Sequence, residues 1–115
     1  MAYVDAYAAA VPNANRAAYV RMTETSREIF TANGALQVIE CWGDDVPEGT
    51  LTSFPLAVKC GPDETVVVGW VVWPSKAVRD AGNEKAMADP RFTAASMPFD
   101  GKRMIFGGFE VISGL

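Results

Sequence analysis

The chain has 115 residues, of which 50% are apolar and 21% charged, with a formal net charge of -4 and no histidine. That length and balance suit one globular domain with its own core and argue against disorder. The acidic surplus argues against nucleic acid and anionic membrane as partners. The missing histidine removes the common general base, the Ser-His and Cys-His pairs, and the usual histidine-ligated haem, zinc and non-haem iron sites; no metal and no cofactor is expected.

Residues 2–11 (AYVDAYAAAV) alternate loosely and read as a strand ended by Pro12, with Asn13 placed to cap the next element. Residues 14–33 turn helical: Ala18, Tyr19, Met22, Ile29 and Phe30 fall at three-to-four-residue spacing on one stripe, and Gly34 stands where a helix-ending glycine belongs. Residues 35–43 (ALQVIECWG) form the next strand, with Leu36, Val38, Glu40 and Trp42 on one face and Gln37, Ile39 and Cys41 on the other. A turn-rich loop follows over 44–52, then a short strand over 54–60.

Residues 64–73 (ETVVVGWVVW) are β-branched and aromatic throughout, the clearest strand in the chain. Ser75 is placed to cap a second helix running to about residue 89, with Val78, Ala81 and Met87 as its apolar stripe, Gly82 as a cost to it and Pro90 as its stop. Residues 92–101 are irregular with a short helical turn. Residues 102–112 (KRMIFGGFEVI) form the last strand, where Gly107-Gly108 marks a bulge or a place where another backbone comes close. Strand, helix, strand, strand, helix, strand is the ferredoxin-like βαββαβ order, an α+β fold with an antiparallel sheet and both helices on one face. Trp42, Trp70, Trp73, Phe106 and Phe109 all sit on strands, more than one helix-covered face hides, so a second copy is expected to cover the other face and form a homodimer.

The strings ECWGDDVP (40–47), WPSKAVRDAGN (73–83) and MPFDGKRMIFGGFE (97–110), with YVDAYAAAVP (3–12) at the start, resemble the YbaA-like family of short bacterial proteins, a domain of unknown function, over essentially the whole chain. The resemblance implies membership of the dimeric α/β-barrel superfamily, a ferredoxin-like group that includes cofactor-independent monooxygenases, small isomerases and haem-handling enzymes. It assigns no activity by itself. A label tying some relatives to signal recognition particle RNA is opposed by the acidic charge and scattered basic residues.

Asp5, Glu40 and Glu110 lie within strands among apolar neighbours; facing inward together they would make an acid-base cluster, and facing water or a cation they would be structural. Lys102 and Arg103 suit either an anion clamp or a turn salt-bridged to Asp100 or Glu40. Tyr3, Tyr7, Trp42 and Trp70 either line a pocket for a flat ligand or build core and dimer seam. Lys76, Arg79, Asp80 and Asn83 share a helix face, and Asp44, Asp45 and Glu48 read as a solvated loop. Cys41 and Cys60 read as free thiols in a reducing compartment, the cytoplasm. Three functions stay open: a cytoplasmic binder of a small apolar or aromatic molecule, a cofactor-independent monooxygenase or isomerase, and a purely structural or protein-interaction dimer.

Overall fold

A computed structural model describes residues 1–93 and 97–114. Four strands, β1 (Tyr3–Pro12), β2 (Gln37–Trp42), β3 (Glu64–Trp73) and β4 (Ile105–Glu110), form one sheet in the order β2-β3-β1-β4 with every neighbouring pair antiparallel. The two ten-residue strands β1 and β3 pair along their whole length at the centre. Among the described residues four α-helices accompany them: α1 (Arg16–Ala32), α2 (Phe54–Ala57), α3 (Lys76–Met87) and α4 (Pro90–Thr93).

The long helix α1 starts later than its sequence suggests, because residues 13–15 take a tighter 3-10 turn. Asn13 does not cap it; its side chain instead accepts from the Thr65 hydroxyl across the chain. Its end is as the glycine implies. Gly34 adopts φ 107°, and the N–H groups of Gly34 and Ala35 turn back to the carbonyls of Thr31 and Phe30. These two bonds satisfy carbonyls that the helix end would otherwise leave open.

Residues 54–60, expected as a short strand, form helix α2 and a turn. Ser53 caps the helix by accepting from the Leu56 N–H, and Pro55 sits in the first turn, where its missing N–H costs nothing. Lys59 then takes φ 52°, left-handed, and ends the helix. The apolar run FPLA misled because four residues carry no periodicity. Val58 and Cys60 pack on Ala8, Ala10, Val66 and Val68 and so close one end of the sheet face that the long helices leave open.

The last strand is also shorter than expected, since residues 101–103 make a 3-10 turn held by Asp100. Residues 94–96 of the segment read as irregular lie outside the described residues.

The helix-covered face carries the core. Tyr3, Ala35, Val71 and the wholly buried Trp73 cluster with Phe30, Val38 and Val78; Ala9, Val11, Tyr19 and Val67 cluster with Met22, Trp42, Phe99 and Met104. Phe30 meets Trp73 edge-to-face at 6.0 Å between ring centres. Helix α3 packs through only one residue of the stripe expected of it, Val78. Ala81 and Met87 are exposed, while Gly82 and Ala86 are buried. A Cβ on Gly82 would stand 2.4 Å from the Trp73 ring and 2.6 Å from the Asn33 carbonyl. The glycine that weakens the helix locally is what lets it cross that close.

The opposite face reads, row by row, Gln37–Val72–Val4–Phe109, Ile39–Trp70–Ala6–Gly107 and Cys41–Val68–Ala8–Ile105. Trp70, Ile105 and Phe109 are 36%, 45% and 58% exposed. Among the described residues no helix is long and apolar enough to cross a membrane.

Candidate functional site

Antiparallel register decides which side chains share the helix-covered face. Facing residues of paired strands project to the same side. Here that places Val38, Val71, Asp5 and Gly108 in one row, and Glu40, Gly69, Tyr7 and Phe106 in the next.

Asp5 is engaged on both oxygens. Arg79 of α3 donates to it from Nε at 3.1 Å and from Nη2 at 2.7 Å; Trp73 Nε1 donates at 3.0 Å and Asn83 Nδ2 at 3.4 Å. The same guanidinium lies 5.0 Å from the centre of the Tyr3 ring and bonds Asp80 through Nη1. A carboxylate so saturated ties β1 to α3 and has no lone pair directed at a ligand. Tyr3 is core beneath that arginine, and its hydroxyl fills the space over Gly108. Neither a bulge nor an approaching backbone explains Gly107-Gly108: β4 pairs through both residues, and what comes close at Gly108 is the Tyr3 side chain. The polar face of α3 read from spacing is real in part: Arg79 and Asn83 point inward to Asp5, and Lys76 stays in solvent.

Glu110 is exposed at the end of β4, opposite Tyr3, so the three carboxylates do not converge. Arg103 is not an anion clamp. It forms two 2.7 Å bonds to Glu64, one at 3.1 Å to Asp100 and one at 2.8 Å to the Lys59 carbonyl. That pairing holds the Glu64 carboxyl down at about 2, chiefly through the arginine hydrogen bonds. Lys102 is exposed beside it. Trp70 lies on the open face, away from Tyr7 and Glu40, and Trp42 is packed on Tyr19 with Arg16 over its ring at 5.1 Å.

Glu40 differs from these. It is half-buried on β2, and its Oε2 accepts from the Tyr19 hydroxyl of α1 at 2.9 Å. Burial is the cause that raises its carboxyl from 4.5 to about 7. Burial, then the neighbouring Cys41, pushes the Tyr19 phenol up as well, so it remains a donor. Next to Glu40, residue 69 is glycine, and the Tyr7 phenol and the Glu40 carboxyl fill the space a side chain would take. A Cβ there would lie 2.5 Å from Tyr7 Oη and 2.8 Å from Glu40 Oε2. The phenol of β1 and the carboxyl of β2 thus flank one point above β3. Tyr7 has no hydrogen-bond partner among the described residues, and Phe106 beside it is 80% exposed. A groove of about 310 Å³ between α1 and the β2 edge, lined by Thr23, Glu24, Arg27, Val38, Ile39 and Glu40, leads to the carboxyl.

Two members of this group escape a linear reading. Tyr19 counts in the sequence only as one apolar position of a helical stripe. Gly69 carries a signal, being a glycine inside the most β-prone stretch, VVVGWVVW, where a side chain is missing for a reason.

Comparison with known proteins gives relatives over nearly the whole chain. A family described as "Protein of unknown function (DUF1428)" matches residues 2–101. "Uncharacterized protein YbaA" of Escherichia coli K12 is 51% identical over 114 residues, 97% of either chain, and proteins of the same description from Escherichia coli O157:H7 and Shigella flexneri match equally.

Proposed function

The chain belongs to the DUF1428 family of proteins of unknown function, and on that premise we propose, from its own geometry, that it binds a small apolar or aromatic molecule between the sheet and its long helices, as a homodimer. The observation that carries the reading is the groove of about 310 Å³ between α1 and the β2 edge, where the near-neutral carboxyl of Glu40 lies beside Val38 and Ile39. Concave sites with an apolar floor and a few convergent polar groups are where small ligands bind.

Four antiparallel strands in the order β2-β3-β1-β4 support a ferredoxin-like unit. Its open face presents Ile39, Trp70, Ile105 and Phe109, and a second copy offers an identical apolar surface for a two-fold pairing that closes a barrel. Free thiols at Cys41 and Cys60 fit a reducing compartment such as the cytoplasm.

Native mass spectrometry of protein purified from its own host tests both parts. The expected species has the mass of two 12.4 kDa chains plus that of a small organic molecule. Monomer at micromolar concentration would refute the pairing. A dimer that retains nothing, and takes up none of a panel of aromatic ketones and phenols, would refute the binder.

A further inference from the structure

We propose that the groove between α1 and the β2 edge binds a zwitterionic aromatic amino acid with a hydrogen-bond donor at the far end of its ring, of the tyrosine type. Arg27 takes the carboxylate, Glu24 the ammonium and Glu40 the ring hydroxyl. The proposal rests on the binding reading above and names the ligand class of that site.

The groove is lined by Thr23, Glu24 and Arg27 of α1 and by Val38, Ile39 and Glu40 of β2. Glu24 and Arg27 carry opposite charge and stand three residues apart, on one surface of the helix. They do not pair with each other. Among the described residues neither side chain makes an ion pair or a hydrogen bond. A plain anion drawn to Arg27 would meet Glu24 beside it, and a plain cation drawn to Glu24 would meet Arg27. An amino acid carries its ammonium and carboxylate on one carbon and so complements both at once.

The rest of the lining sets where the ring goes. Glu40 Oε2 holds the Tyr19 hydroxyl, while Oε1 has no donor and is open to one. Arg27 lies eight residues beyond Tyr19, about 12 Å along the helix axis. The charged pair and the free carboxyl oxygen therefore stand at opposite ends of the groove. Between them Val38 and Ile39 supply apolar surface for a ring. The Thr23 hydroxyl donates to the Val20 carbonyl and offers no proton to a ligand. Burial holds the Glu40 carboxyl at about 7, so much of it is uncharged at physiological pH. The charges of the groove then nearly cancel, which suits a ligand of zero net charge.

Nitrogen-15 NMR titration of the full-length protein at pH 7.5 tests this with L-tyrosine and three analogues that each lack one group. Tyramine lacks the carboxylate, para-hydroxyphenylpropionate the ammonium and L-phenylalanine the hydroxyl. Tyrosine should shift the amide signals of residues 23–27 and 38–40. The analogues should bind more weakly, by about threefold or more for either charged group and about tenfold for the hydroxyl. Arg27→Gln should abolish the preference for tyrosine over tyramine, and Glu24→Gln the preference over para-hydroxyphenylpropionate. Both side chains are exposed, so the variants should keep the wild-type circular dichroism. A general disturbance of the fold would weaken all four ligands alike. An analogue that binds as tightly as tyrosine would overturn the proposal and leave the binder standing, and so would uptake of a neutral ketone or phenol with none of tyrosine. Preferences that persist in the folded variants would refute the assignment of Arg27 and Glu24. Binding of nothing in either panel would overturn both readings.

Discussion

Replacing Glu40 with glutamine should make the protein more stable, by an amount that grows from about pH 4.5 to about pH 7. In the native state burial raises this carboxyl from 4.5 to about 7. The folded protein therefore holds the proton more tightly than the unfolded chain, and stability falls as pH rises from about 4.5 to about 7. At about 1.4 kcal/mol for each tenfold change in proton affinity, the full penalty above pH 7 is at most about 3.5 kcal/mol. Glu40 is only half-buried, and screening by water reduces that to about 1–2 kcal/mol. Glutamine keeps an oxygen for the Tyr19 hydroxyl but cannot ionise. In a domain of this size each kcal/mol is worth about 3–6 °C in melting temperature. Thermal unfolding by circular dichroism at fixed protein concentration should show Glu40→Gln melting about 4–10 °C above wild type at pH 8. The gap should close by pH 4.5. A pH-independent difference, or a mutant less stable at pH 8, would refute the reasoning that burial of this carboxyl is what costs stability.

Other perturbations have equally definite outcomes. Gly82→Ala places a methyl 2.4 Å from the buried Trp73 ring; the packing cost of about 1–3 kcal/mol should exceed the roughly 1 kcal/mol gain in helix propensity, lowering the urea midpoint. Asp5→Asn leaves Arg79 and Trp73 without their shared carboxylate, and should cost about 2–3 kcal/mol in denaturant unfolding, more than Asp80→Asn on the rim. The Glu64 carboxyl, held at about 2 by Arg103, contributes stability above pH 4.5 that is lost as pH falls toward 2; Arg103→Gln should flatten that acid limb in a melting series. Phe109→Glu, on the open face, should turn a dimer into a folded monomer in light scattering, and an unchanged mass would remove that face from the interface.

What a linear reading captures here is what short-range chemistry dictates. The β-branched run of β3, the stripe on α1 and the αL glycine at residue 34 are local signals, and each lies where its residues put it. Ser75 likewise caps α3 as its position implies. The misreadings fall where a distant partner decides. Gly82 looks costly until Trp73 is placed against it. Arg103 reads as a turn residue bridged to Asp100, which it is, but its two shortest bonds go to Glu64, 39 residues away, which no local pattern shows. Asp5 looks like a candidate base until Arg79, 74 residues on, takes both its oxygens. Glu40 was visible as a carboxyl among apolar neighbours, but its meaning depends on register. Only when β2, β3 and β1 align do Glu40, Gly69 and Tyr7 come to one row.

Everything assigned to the helix-covered site depends on Glu40 being a carboxyl that changes charge near neutrality. Carbon-13 NMR of its side-chain carboxyl, assigned by comparison with Glu40→Gln and followed from pH 3 to pH 9, reads that directly. A midpoint near 7 is the expected result. A midpoint near 4.5, that of a solvated glutamate, would contradict the burial of Glu40 and the site described around it.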